Sequence, residues 1–259
     1  MDDLTLEAVV LRELSLRAAA CTLPFLVVGA SARDIAIRSA GISMQLRRTS
    51  DVDIAVAVAD WADLDRLTAG LPRKGNAMHT FLVHGVPVDI VPFRGVETPE
   101  RTIRWPDDHE MNVAGMEEAM SSAALVDLAD DVRVHVATLP AQVVLKLFAW
   151  GDRHHQTTRD AIDLRAILDA YSSGSHLDAL YDDFEDALDR HDFDVLVATA
   201  ARVGQEAAEM LPDATVAALL SLLAAEQAEP GTLAAQMGFD VARNRALLAA
   251  LSQGLQADR

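Results

Sequence analysis

Only one cysteine, Cys21, stands in 259 residues. A lone thiol closes no internal disulfide, and no Cys/His spacing suited to zinc accompanies it. The reading that fits Cys21 is a small buried hydrophobe. Long apolar runs are missing too: none approaches the roughly 18 residues of a membrane-crossing helix, so no membrane partner is expected. The opening Met1-Asp2-Asp3 lacks the basic-then-apolar pattern of a secretory signal, and the expected location is the cytoplasm. Basic charge is scarce, with 22 Lys+Arg against 40 Asp+Glu and a net charge of −18. A general nucleic-acid binder presents a basic face, so that class is disfavoured. Apolar residues are plentiful at 51%, enough for a full core and too many for general disorder. The length suits one large domain or two small ones.

The chemistry-bearing stretch is Thr49-Ser50-Asp51-Val52-Asp53-Ile54-Ala55-Val56-Ala57-Val58. β-branched and small apolar residues after the second Asp predict a strand. On a strand Asp51 and Asp53 leave the same face. Two carboxylates so close repel unless a cation lies between them, and an oxygen-only pair suits Mg²⁺ or Mn²⁺. The plainer reading is a polar strand start with one Asp capping a turn. Upstream, Pro24 to Asp34 reads as a short buried strand, a Gly29-Ala30-Ser31 turn and a helix start, with Ser31 as N-cap. A helix start of that kind suits a phosphate. Ordinary strand-to-helix chemistry reads the same way. Downstream, Gly85 to Phe93 is an apolar strand with one acid, Asp89. A charge there needs a partner or a metal.

Strand–Gly-x-Ser–helix, then Asp-x-Asp on a strand, then a strand with a third Asp resembles the nucleotidyltransferase superfamily typified by DNA polymerase β. Within it, the chain looks most like the abortive-infection toxins of AbiEii type, the toxin halves of type IV toxin–antitoxin pairs. Leu145-Lys146-Leu147-Phe148-Ala149 looks like that family's Leu-x-x-Lys-x-x-Ala helix, and Arg159 to Leu168 like its Lys-Asp-x-x-Asp-Leu helix. The resemblance spans roughly residues 20–170. Departures are the long Ser31–Asp51 spacing, Arg159 in place of Lys, and Thr157 where a basic residue stands in the family, with Arg153 one turn away.

The resemblance implies an α/β (α+β) fold, a nucleotidyltransferase-type mixed sheet with flanking helices plus an all-α C-terminal lobe. Residues 1–138 would form the catalytic domain and 139–259 the helical one, with helix 140–170 contributing to the active site. The implied reaction moves a nucleoside monophosphate from a nucleoside triphosphate (NTP) to an acceptor hydroxyl. Asp51, Asp53 and Asp89 would hold Mg²⁺ or Mn²⁺, while Gly29, Ser31, Arg33, Arg48, Lys146 and Arg159 would bind substrate. Asp160 would orient Lys146 or the acceptor. The implied partners are tRNA and a cognate antitoxin protein. The alternatives are a small-molecule acceptor of antibiotic type, a protein acceptor, or an inert nucleotide-binding module.

The rest of the chain supplies scaffold. Leu4, Ala8, Leu11, Leu14 and Ala18 stripe an N-terminal helix, and Asp60 caps a helix over 60–69. Ala30 to Thr49 carries four arginines (Arg33, Arg38, Arg47, Arg48) against Asp34, either a phosphate-binding patch or a solvated face. Met78–Val83 and Val86–Phe93 predict a hairpin turning at His84-Gly85. His79 and His84 read as structural or exposed. Residues 94–110 read as a surface loop in which Trp105 is either an anchor or a base-stacking platform. A strand at 132–137 and helices at 140–151 and 158–171 follow. Asp163 reads as fixing the second of these helices. His154 and His155 diverge and make no zinc site. After a Ser172–Ser175 linker, residues 176–259 read as about four Ala/Leu-rich helices. Residues 151–259 hold 8 Lys+Arg against 19 Asp+Glu, a poor RNA surface.

Overall fold

The computed structural model describes residues 3–44, 49–129, 132–228 and 231–257. The chain divides into two compact units, Met1–Ile35 with Arg47–Thr138, and Ala36–Leu46 with Leu139–Arg259. The fold is mixed α/β with a mixed sheet.

The first unit begins with α1 (Asp3–Cys21), β1 (Phe25–Val28), the Gly29–Ile35 part of α2 (Gly29–Ser39), β2 (Val52–Val58) and α3 (Trp61–Thr68). It continues with β3 (Thr80–Val83), β4 (Val86–Arg94), β5 (Thr102–Arg104), β6 (Glu110–Asn112), α4 (Met116–Ser121), β7 (Ala124–Ala129) and β8 (Val132–Val136). Six strands form one sheet in the order β3-β4-β2-β1-β8-β7, and β5 pairs with β6 alone. β1 runs antiparallel to β2 and parallel to β8, while β2 runs parallel to β4. Strands covered on both faces read as near-continuous apolar runs. β1 is buried along its whole length, and β2 at every position but Asp53. Val10, Leu11, Leu14 and Ala18 supply the buried face of α1. Cys21 is partly buried at its end.

Local chemistry sets the joints. The Asp60 carboxylate accepts from the Asp63 amide and caps α3. His84 and Gly85 both take positive φ, 50° and 80°, the backbone of a tight two-residue hairpin turn. That turn fixes the register Val83↔Val86, Leu82↔Pro87, Phe81↔Val88 and Thr80↔Asp89.

The structure corrects four expectations here. α2 opens at Gly29, so Ser31 is not an N-cap; it lies inside the helix and is 2% exposed. Segment 94–110 is not a plain loop, because it contains β5 and the start of β6. Trp105 is not a platform for a base: it is 3% exposed and packs on Trp61, ring centroids 5.3 Å apart, and on His79 at 5.6 Å. α4 and β7 arise where no element was expected. Arg47 and Arg48 of the expected arginine patch lie within residues 45–48, outside the described residues.

The second unit is helical: α5 (Leu139–Arg153), α6 (Arg159–Tyr171), α7 (Gly174–Asp183), α8 (Glu185–Arg190), α9 (Val195–Met210), α10 (Asp213–Ala228), α11 (Thr232–Gln236) and α12 (Val241–Leu255). Among the described residues past 172 there are six helices rather than about four, because the chain also forms the short helices α8 and α11. The linker is shorter than expected, since α7 starts at Gly174. α9 and α12 cross with their backbones in contact. A Cβ on Gly254 would stand 1.8 Å from the Ala201 carbonyl oxygen, and one on Gly204 would stand 2.2 Å from that of Leu251. Only glycine permits that approach. Arg243 at the start of α12 binds the Asp194 carboxylate that caps α9. Among the described residues, no helix is long and apolar enough to cross a membrane.

Candidate functional site

The first unit gathers carboxylates on inner strands of the sheet, near the point where β1 ends and β2 begins. In the parallel β2–β4 ladder, Asp53 is the register partner of Asp89. Register partners in a parallel pair show their side chains on the same face, on strands about 4.8 Å apart. On the other side of β2, Asp53 faces Val28, the last residue of β1. The next residue, Gly29, opens α2 at φ +65°. A Cβ there would stand 2.0 Å from Asp53 Oδ2, so the Asp53 carboxylate lies against the start of the helix, where only glycine leaves room. Asp51, two residues before Asp53, stands just outside β2 and is partly exposed.

Neighbouring hydroxyls hold two of these groups. Thr80 Oγ1 donates to Asp89 Oδ1 at 2.6 Å, and His79 Nε2 lies 3.9 Å from Asp89 Oδ2. Thr49 Oγ1 donates to Asp51 Oδ1. Among the described residues, no group of three His, Cys, Asp or Glu side chains is gathered closely enough to hold a metal ion as it stands. Mg²⁺ commonly binds through one or two carboxylates together with water and substrate phosphates, without a full protein cage. The oxygen-only pair Asp53 and Asp89 fits that mode in donor chemistry and backbone placement.

The remaining candidates are placed as follows. Arg33 is 1% exposed and bonds Asp34 through Nε at 2.8 Å, so it builds the interior around α2 rather than offering a solvent-facing cation. Arg48 lies outside the described residues, and Arg159 is exposed at the start of α6. In the second unit, Lys146 on α5 meets two acids of α6, with Nζ 3.1 Å from Asp160 Oδ1 and 2.8 Å from Asp163 Oδ2. Arg153 adds Nε–Oδ2 and Nη2–Oδ1 bonds of 2.7 and 2.9 Å to Asp160. Asp160 is 1% exposed. Burial pushes its carboxyl pKa up, but the Arg153 hydrogen bonds and the Lys146 charge outweigh burial and hold it below the ordinary value. Lys146 and Asp160, named from sequence, are thus brought together.

Thr49, Thr80 and His79 were not singled out for this site by the sequence. Thr80 was within reach: a two-residue turn at 84–85 pairs residue 80 with 89. For Thr49 and His79 no pattern in the chain gave a signal.

No family model matches the chain, and no curated protein matches it. Two solved structures of the antibiotic-resistance factor ANT(2'')-Ia are similar to it. The solution structure, described as showing substrate-regulated conformation dynamics, has a TM-score of 0.41 and 13% identity, covering 73% of this chain and 97% of that one. The crystal structure in complex with adenylyl-2''-tobramycin has a TM-score of 0.42 and 12% identity, covering 76% and 98%. A likeness this loose carries no residue-by-residue correspondence.

Proposed function

We propose that the first unit is a nucleotidyltransferase, moving a nucleoside monophosphate from an NTP to an acceptor hydroxyl. The observation that carries this reading is the Asp53–Asp89 register pair, set beside the glycine that opens α2. In the reaction, the acceptor oxygen attacks the α-phosphorus, the bond from that phosphorus to the bridging oxygen breaks, and pyrophosphate leaves. Asp53 and Asp89, with Asp51 beside them, would hold a divalent cation. Such a cation neutralises phosphate charge and polarises the phosphoryl oxygens. Asp89 also stands ready to take the acceptor proton. The first-turn amides of α2 would receive phosphate oxygens. Most of the rate gain is then positioning and charge neutralisation.

The acceptor we infer is a small hydroxylated molecule, and a cationic one suits the chain best. A net charge of −18 repels RNA and attracts a small cation. The arginine patch read as a phosphate-binding surface, where an RNA end could also have bound, loses Arg33 to the interior. The tRNA-directed toxin with its antitoxin is the second reading, favoured by the Lys146 and Asp160 segments and their ion pair.

The test is incubation with each α-³²P-labelled NTP and Mg²⁺, offering aminoglycosides, total tRNA and cell-extract protein in parallel. Label on a small molecule, lost in Asp53→Asn, is the expected result. Label on tRNA replaces the acceptor and keeps the chemistry. Absence of label on any acceptor, with NTP bound, overturns the transfer reading.

A further inference from the structure

We infer that Thr80 and Thr49 are positioning residues for the cation site, each fixing one oxygen of a carboxylate so that the other points to the ion. This rests on the reading of Asp51, Asp53 and Asp89 as cation ligands.

The two contacts are alike in kind. Thr80 Oγ1 donates to Oδ1 of Asp89 at 2.6 Å, across the antiparallel β3–β4 ladder where the two residues are register partners. Thr49 Oγ1 donates to Oδ1 of Asp51, two residues along the chain. In both, a neutral hydroxyl engages one carboxylate oxygen and leaves the other outside the hydroxyl bond. That division of labour has a physical reason. Carboxylates crowded together repel, and a free Asp side chain swings about χ1 and χ2. A hydroxyl bond selects one rotamer, yet leaves the negative charge whole for a cation. A lysine or arginine in the same place would neutralise the carboxylate and compete with the ion.

Thr80 is also placed where it cannot drift. The His84–Gly85 turn fixes the β3–β4 register, so the Thr80 hydroxyl and the Asp89 carboxylate face each other by construction. His79, one residue earlier, approaches the other oxygen, Oδ2, at 3.9 Å and packs on Trp105. A cross-strand Thr–Asp pair with only a structural role would contribute a little to folding and nothing to cation affinity. The two roles therefore separate in a binding measurement.

The experiment is Mn²⁺ binding to the full chain, followed by electron paramagnetic resonance without NTP, on the parent, Thr80→Val, Thr80→Ser and Thr49→Val, with circular dichroism to verify folding. Valine keeps the branched shape and removes the hydroxyl; serine keeps the hydroxyl. If Thr80→Val does not fold, Thr80→Ala takes its place. Orienting partners of metal ligands typically matter about 10- to 100-fold. The expected result is a loss of about tenfold or more in Mn²⁺ affinity for Thr80→Val and Thr49→Val, with Thr80→Ser within about twofold of the parent. Parent-like Mn²⁺ affinity in folded Thr80→Val overturns the inference and leaves the transfer reading standing. A folded parent that takes up no Mn²⁺ overturns the cation site itself, and the inference with it.

Discussion

Replacing Asp160 with leucine removes the acceptor of three hydrogen bonds from a site 1% exposed. Lys146, whose side chain is 12% exposed, keeps only Asp163 at 2.8 Å. Arg153, 51% exposed, turns to water, and its share counts for little. Breaking one partner out of a buried pair costs about 3–5 kcal/mol, and these two reliefs place Asp160→Leu near the lower end, about 3 kcal/mol. Lys146→Met in the same chain removes the ammonium that Asp160→Leu leaves half-paired but also takes it from buried Asp163, so the double variant should cost less than its two singles together and still about 3 kcal/mol relative to the parent. The assay is urea unfolding of the full chain by circular dichroism, at several pH values. The sign of the pH dependence follows from the depressed folded-state pKa of Asp160. Its stabilisation is complete above the ordinary value of 3.8 and is lost as pH falls through the lower folded value. The gap between parent and variant should therefore hold at neutral pH and close only in strong acid. A loss under about 1 kcal/mol for Asp160→Leu, or a double variant as costly as its two singles together, refutes the reasoning.

Gly254→Ala should lower stability by about 3 kcal/mol in the same assay, because its Cβ meets the Ala201 carbonyl at 1.8 Å and forces α9 from α12. Gly29→Ala should lose Mn²⁺ affinity in a binding titration, since its Cβ displaces the Asp53 carboxylate and φ +65° disfavours alanine. Asp53→Asn should keep the melting temperature of the parent, or raise it by relieving carboxylate repulsion, while transfer of label falls at least about 100-fold. Trp105→Phe should be close to neutral in thermal melts, within about 1.5 kcal/mol, because the buried indole Nε1 it removes has no hydrogen-bond partner. Trp105→Ala should cost about 3–5 kcal/mol.

The elements with a strong local signal were legible in the chain. β2 and β4 are short and β-rich, with one odd charge each side of the ladder, and the His84-Gly85 turn marks their neighbour β3. Capping by Asp60 and the apolar stripe of α1 read directly. Elements held by distant partners did not show. α4 is six residues long and buries Glu118, whose charge is met by Arg101 from a distant loop. β7 is an edge strand with Ala124, Leu125 and Asp127 exposed, so it lacks clean alternation. Trp105 reads as a loop residue until Trp61 and His79 close over it. Arg33 carries a full charge in the sequence, and its contacts to Asp34, from Nε at 2.8 Å and Nη2 at 2.7 Å, help hold it in the interior. At the candidate site, Asp53 and Asp89 were named from their strands, but their register depends on β2 and β4 pairing in parallel, which no local pattern specifies. The distant fit of Gly29 to Asp53 is likewise a product of the β1–β2 pairing.

Whether Asp53 and Asp89 share one cation is read from the Mn²⁺ affinity of the full chain, by electron paramagnetic resonance, for the parent, Asp53→Asn, Asp89→Asn and the double variant. Residues that serve one ion are strongly non-additive. If Asp53 and Asp89 share one ion, each single variant loses at least about tenfold in affinity and the double variant is little worse than the weaker single. Parent-like affinity in either folded single variant, or two losses that simply multiply, would contradict it.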